Sequence, residues 1–144
     1  MTALIVEDNA DFSAFLKSLL EVRFPRAMIL QALDADEAMR HCSLNKLDIV
    51  LVDISLPGGV NGLALTEWIR QDGASPPVVI LTNHDLPEYR LEAERIGANR
   101  FLSKASSTTD EIVVAVEELA GSMAIREGSS APYPGPLTLP NTFR

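Results

Sequence analysis

An α/β fold with a parallel sheet follows from three features of the sequence. Five short apolar runs of strand length alternate with five segments of helical periodicity, the pattern of a parallel sheet whose crossover helices lie on its faces. Two of the runs, Ile49-Val50-Leu51-Val52 and Val78-Val79-Ile80-Leu81, are apolar without a break, as expected of strands covered on both sides. Several runs stop at polar residues that lead into surface segments. One edge of the sheet, where all strand C-termini lie, therefore collects their chemistry.

The elements follow in chain order. Ala3-Leu4-Ile5-Val6 is the first strand and stops at Glu7-Asp8-Asn9. Phe12, Phe15, Leu16, Leu19 and Leu20 form the stripe of a first helix, which Pro25 ends. Met28-Ile29-Leu30 is a second strand. Asp34 caps a second helix carrying Ala35, Ala38, Met39 and Cys42 on its inner face, so Cys42 reads as a structural thiol and His41 as a residue off the buried stripe. The third strand, Ile49–Val52, ends at Asp53, and Pro57, Gly58, Gly59, Asn61 and Gly62 open the chain into a loop. Leu65, Trp68 and Ile69 mark a third helix ending near Gly73, with Trp68 expected in the core. The fourth strand ends at Thr82-Asn83, followed by His84, which reads as a solvent-facing loop residue. Tyr89, Ala93 and Ile96 space a fourth helix closed by Gly97. Arg100–Ser103 is the fifth strand and leads to Lys104. Ser106, Ser107 and Thr108 offer caps for a last helix with Ile112, Val116, Leu119 and Met123 on one face.

Composition narrows the function classes. A chain of 144 residues with 47% apolar content is the size of one domain. The net charge of −8, without clusters of Lys or Arg, argues against direct binding to nucleic acid. One cysteine excludes an internal disulfide and a Cys-rich metal site. No stretch suits a bilayer span or a secretory leader, so a soluble, cytoplasmic protein is expected. From Gly121 the composition shifts, and the last segment holds four of the nine prolines. The expected division is a domain over 1–122 and a Pro/Gly/Ser-rich tail or linker over 123–144.

The topology gathers Glu7, Asp8, Asp53, Thr82 and Lys104 at one edge. Three crowded carboxylates repel one another and raise at least one pKa unless a cation sits among them, and an all-oxygen set suits Mg²⁺. With that charge neutralised, Asp53 can attack phosphorus to form an aspartyl-phosphate, while Lys104 and Thr82 stabilise the transferred group. As lone residues, each has a plainer role: a loop-capping carboxylate, an acid pair at a helix start, an N-cap threonine, a solvated lysine.

These five residues, in this order and at these spacings, resemble the receiver domain of two-component response regulators over about residues 2–122. The resemblance implies a doubly wound, flavodoxin-like (βα)5 fold of the chemotaxis-regulator type, with strand order 2-1-3-4-5. It implies that Asp53 takes a phosphoryl group from a sensor histidine kinase or a histidine phosphotransfer protein. Asp8 and Asp53 would bind Mg²⁺ directly, Glu7 through water, and the Ser55 backbone carbonyl would supply another ligand. Thr82 and Lys104 would each hold a phosphoryl oxygen. Phe101, three residues before Lys104, matches the switch aromatic that turns inward as Thr82 moves toward the phosphate. The output would be an unidentified downstream protein met by the face of helix four, strand five and helix five, with room for a homodimer.

Three departures stand out. Ala105 follows the lysine where the family usually has proline, often after a cis bond; a non-proline cis bond costs about 3 kcal/mol, so the sequence leaves the state of this bond open. The loop from Pro57 to Gly62 is one residue longer than the commonest form, and Asn83 replaces a small residue beside the threonine. A phosphatase working through an aspartyl-phosphate would need a second acid at Ser55, and a dinucleotide protein would need G-x-G-x-x-G where Glu7-Asp8-Asn9-Ala10 stands. The chain therefore reads as a signalling phosphoacceptor that catalyses at most its own phosphorylation and dephosphorylation. A receiver-like docking module without phosphorylation is the remaining alternative. No output domain follows the last helix, so a stand-alone receiver, or one ending at a linker, is expected.

Overall fold

The computed structural model describes residues 1–121. The expected domain limit at 122, Met123 and the tail over 123–144 lie outside the described residues. Five strands, β1 (Thr2–Val6), β2 (Met28–Ala32), β3 (Ile49–Val52), β4 (Val78–Thr82) and β5 (Arg100–Ser103), alternate with α1 (Ala10–Arg23), α2 (Ala35–Leu44), α3 (Gly62–Arg70), α4 (Pro87–Arg95) and α5 (Thr109–Val116). A π-type turn, Glu117–Gly121, extends α5. All strand pairings are parallel and the order is β2-β1-β3-β4-β5, as expected of the doubly wound fold.

Alternate residues of each strand point to opposite faces, so each central strand serves two cores. On one face, Leu4, Val6, Val50, Val52, Ile80 and Phe101 meet α2, α3 and α4. On the other, Ile5, Leu51, Leu81 and Leu102 meet Leu16 and Leu20 of α1 and Ile112 and Val116 of α5. This two-sided burial is why β3 and β4 carry unbroken apolar runs.

Three helix ends fall where the sequence placed them. Asp34 accepts the N–H of Glu37, Thr108 and Glu111 form a reciprocal capping box, and Gly97 closes α4 with φ of +94°. Two aromatic expectations need correction. Trp68 is 41% exposed, because α3 buries Gly62, Leu65, Thr66 and Ile69 and Trp68 falls off that stripe; it walls a groove of about 660 Å³ together with Cys42. Phe15 is 44% exposed: the buried line of α1 runs through Ser13, Leu16 and Leu20, with Phe12 and Leu19 beside it. Cys42 is half-buried against the core, and burial raises its pKa. No helix among the described residues is long and apolar enough to cross a membrane.

Candidate functional site

The strand register builds the site. Val6 pairs with Val52, so Glu7 and Asp53 leave adjacent strands at the same level, and their amides continue the ladder to Ala32 O and Val6 O, each at 3.0 Å. Both side chains remain buried, at 2% and 7% exposure, although each is a carboxylate. Asp8 is exposed beside them. Oxygens of Glu7, Asp8 and Asp53 lie within 4.8 Å of one another. Asn9 supports this group twice: its side chain caps α1 through the Phe12 N–H at 3.0 Å, and its own N–H donates to Glu7 Oε2 at 3.1 Å.

Lys104 closes the site from β5. Its amide donates to Thr82 O at 2.9 Å, and its Nζ donates to Glu7 Oε1 at 2.6 Å and to Asp53 Oδ2 at 3.1 Å. The ammonium lies 4.3 Å above the centre of the Phe12 ring, a cation–π contact on its remaining side. Peptide bonds throughout the described residues are trans, which settles the bond at 104–105. The Ala105 N–H donates to Ser103 Oγ at 3.2 Å and the Ser107 N–H to Ser103 O at 2.9 Å, so the chain turns tightly after Lys104 without proline.

Burial pushes the Glu7 carboxyl above its usual pKa. Hydrogen bonds from Lys104 and the Asn9 amide oppose the rise, and the charge of Asp53 adds to it. The sequence foresaw a raised carboxylate from mutual repulsion; desolvation is the larger cause. Burial works to lower the Lys104 pKa, but its bonds to Glu7 and Asp53 outweigh that and hold it above the ordinary lysine value. A lone ammonium thus serves two buried carboxylates with a third beside them. The donors are all hard oxygens, which fits Mg²⁺ and does not fit a soft-ligand metal.

Thr82 ends β4 fully buried, and its hydroxyl accepts the His84 N–H at 3.2 Å rather than contacting the carboxylates. The Ser55 N–H approaches Asp53 Oδ1 at 3.4 Å, and Ser55 itself is exposed. Phe101 pairs with Ile80 in the sheet and is 1% exposed, its ring covered by the Arg90 guanidinium at 4.7 Å. His84 is exposed, as expected, and stands edge-on to Tyr89 with ring centres 6.2 Å apart. His41, which drew no role from the sequence, reaches Gln31 O with Nε2 at 3.1 Å.

Three supporting residues were not read as such from the sequence. Phe12 was placed on a core stripe, and nothing in the pattern pointed its ring at Lys104. Asn9 was passed over, although an Asn three residues before the first residue of a helical stripe is a capping signal. Gly62 was read as turn punctuation, whereas a Cβ there would lie 2.0 Å from Asp53 O and 2.8 Å from Ile54 Cα. The start of α3 is pressed against the backbone that carries Asp53, and only glycine fits.

Residues 3–117 match the Response regulator receiver domain family. The chain is 28% identical over 119 residues to the Response regulator UvrY of Escherichia coli strain K12, which covers 83% of this chain and 54% of UvrY. It therefore spans about half the length of that relative. Among solved structures, it is similar to a two-component response regulator of the LuxR family from Aurantimonas sp. SI85-9A1, with 33% identity, a TM-score of 0.75, and coverage of 84% of this chain and 85% of that one. The Francisella response regulator 1452 receiver domain superposes with a TM-score of 0.76 at 24% identity, covering 85% of this chain and 98% of that one, a likeness of fold.

Proposed function

This chain belongs to the response regulator receiver domain family, and on that premise we propose that Asp53 accepts a phosphoryl group from a histidine kinase or a histidine phosphotransfer protein. In the step, an Asp53 carboxylate oxygen attacks phosphorus. The P–N bond to the donor imidazole breaks, and its electron pair returns to the ring nitrogen, which takes up a proton. The new O–P bond leaves an aspartyl-phosphate.

The observation that carries this reading is Lys104 Nζ placed between Glu7 and Asp53, with Asp8 completing the oxygen cluster. The ammonium already lies against the attacking carboxylate and can take a phosphoryl oxygen while keeping Glu7. Thr82 can donate its hydroxyl proton to another phosphoryl oxygen while its lone pair still accepts the His84 N–H. Asp8 and Asp53 would hold Mg²⁺ directly, with the Ser55 carbonyl as a further ligand and Glu7 behind a water. The ion supplies charge neutralisation as three phosphoryl oxygens approach three carboxylates. Phe101 and Thr82 would then shift a two-state face of α4, β5 and α5 toward a downstream protein partner or a second copy of the chain.

Acetyl phosphate with and without Mg²⁺, read by intact mass, tests the reading. A Mg²⁺-dependent adduct that disappears in Asp53→Asn is expected. An adduct surviving in Asp53→Asn, or none forming with any phosphoryl donor, overturns it.

A further inference from the structure

Arg90 joins two parts of the molecule that the phosphoacceptor site does not itself connect. Its Nε donates to Asp85 Oδ1 at 2.6 Å and its Nη2 to Asp85 Oδ2 at 3.1 Å, a bidentate pair. The central carbon of the same guanidinium stands over Phe101, 4.7 Å from the ring centre. Asp85 belongs to the β4–α4 loop, three residues after Thr82, and in that loop the His84 N–H is held by the Thr82 hydroxyl. A short chain of contacts thus runs from Thr82 through the loop to Asp85, across to Arg90, and onto the one fully buried aromatic ring of β5.

We infer that Arg90, anchored by Asp85, is a latch that holds the Phe101 ring inward and ties its position to the loop beside Thr82. The cation and the fork have separate tasks. The positive charge over the ring face attracts it, and the planar fork on Asp85 fixes where that charge sits. Because the Thr82 hydroxyl accepts the His84 N–H, the loop position that sets Asp85 is tied to Thr82. Arg90 is therefore a positioning residue for Phe101, acting at a distance from Asp53. This step rests on the receiver reading only for what moves Thr82; the latch itself is a property of the chain without a phosphoryl group.

The test uses the full chain labelled with 4-fluorophenylalanine and read by ¹⁹F NMR, the Phe101 resonance being assigned by its loss in Phe101→Leu. Solvent exposure of that resonance is followed by its shift between H₂O and D₂O. Arg90→Met keeps the apolar stem and removes the cation; Asp85→Asn keeps Arg90 and removes its anchor. Each is expected to raise the exposed fraction of Phe101 by about 2–5-fold, the effect of losing one partly exposed cation–π contact. Arg90→Lys, with charge but no fork, is expected to recover part of that change. A Phe101 resonance that keeps the same exposure in both Arg90→Met and Asp85→Asn overturns the latch. Beryllofluoride with Mg²⁺ is expected to move the Phe101 resonance less in Asp85→Asn than in the unmodified chain. If the chain takes up no beryllofluoride at all, the receiver reading fails, while the exposure measurement still decides the latch.

Discussion

Asp48 and Asp53 stand at the two ends of the same strand and are equally hidden, at 9% and 7% exposure, yet they sit in opposite company. Asp48 accepts the Thr2 N–H at 2.8 Å, and its own N–H donates to Thr2 O at 2.8 Å, so it clamps the start of β1 to the start of β3. The same end holds Arg70, which donates to Gly97 O and Pro76 O, both at 3.0 Å, and Asn99, whose side chain accepts the Val78 N–H at 2.9 Å. Buried polar groups there are paired mainly with main-chain atoms, which cannot rearrange without unfolding. At the other end Asp53 and Glu7 share one side-chain ammonium with Asp8 alongside. Burial does not separate Asp48 from Asp53. The partner does: backbone dipoles at one end, and at the other a side-chain cation facing an excess of negative charge.

The largest effect that sharpens this contrast is expected from two glycines, one at each end. Gly62→Ala drives a Cβ into Asp53 O, Asp53 C and Ile54 Cα, all backbone, so the start of α3 must lift from the strand end that carries Asp53. The expected loss is about 3 kcal/mol or more, at or beyond the upper part of the usual overpacking range. Phosphoryl uptake should fall with it. Gly73→Ala, in the turn after α3 with open space around the added methyl, should change stability by no more than about 0.5 kcal/mol. Urea unfolding of both variants checks the pair, and equal costs would contradict a site pressed directly against the α3 start.

Carboxylate neutralisation should have opposite signs at the two ends. Asp48→Ala strands the Thr2 N–H and is expected to cost about 1–3 kcal/mol. Glu7→Gln is expected to raise the thermal midpoint at neutral pH, because the Glu7 pKa is raised by burial. The folded protein binds that proton more tightly than the unfolded chain does. Glu7 is therefore least costly to folding below its ordinary value of 4.5, and wild-type stability declines as pH climbs through the raised value. The advantage of Glu7→Gln should accordingly shrink as the pH falls toward 4.5, where wild-type Glu7 is itself protonated. A midpoint for Glu7→Gln below that of wild type at neutral pH would show that Lys104 needs Glu7 more than burial opposes it.

Strand ends and the caps at Asp34, Thr108 and Gly97 were legible because each depends on local chemistry: apolar runs for β3 and β4, Asp34 and Thr108 before helical stripes, Gly97 after one; the sheet order came from the family resemblance, since no apolar run names its neighbour. The cluster of Glu7, Asp8, Asp53 and Lys104 was legible because parallel topology brings all strand C-termini to one edge. What stayed hidden depends on rotation and reach. Periodicity located α1 and α3 but not the angle at which each rolls onto the sheet, and for that reason Phe15 and Trp68 were assigned inward. The grip of Arg90 on Asp85 and Phe101 joins a helix, a loop and a strand, and no spacing announces it. Nor does the sequence separate Asp48 from Asp53 by type; only the loop formers after Asp53 mark one as an opening and the other as a strand start.

The smallest expected effect isolates the aromatic contact of the Lys104 ammonium. Phe12 and Phe15 lie three residues apart on α1 with ring centres separated by 5.8 Å, but Lys104 stands only over Phe12. Phe12→Leu keeps apolar cover above the site and removes the ring face, so the loss should approach that of a cation–π contact, about 0.5–1 kcal/mol. Expressed on Lys104, it should slow adduct formation from acetyl phosphate by about 2–5-fold, and Phe12→Tyr should restore the rate because the ring face returns. Phe15→Leu, on the exposed flank, should leave the rate unchanged. If the two leucine variants slow the reaction equally, the ring over Lys104 is only apolar cover, and the ammonium is held by Glu7 and Asp53 alone.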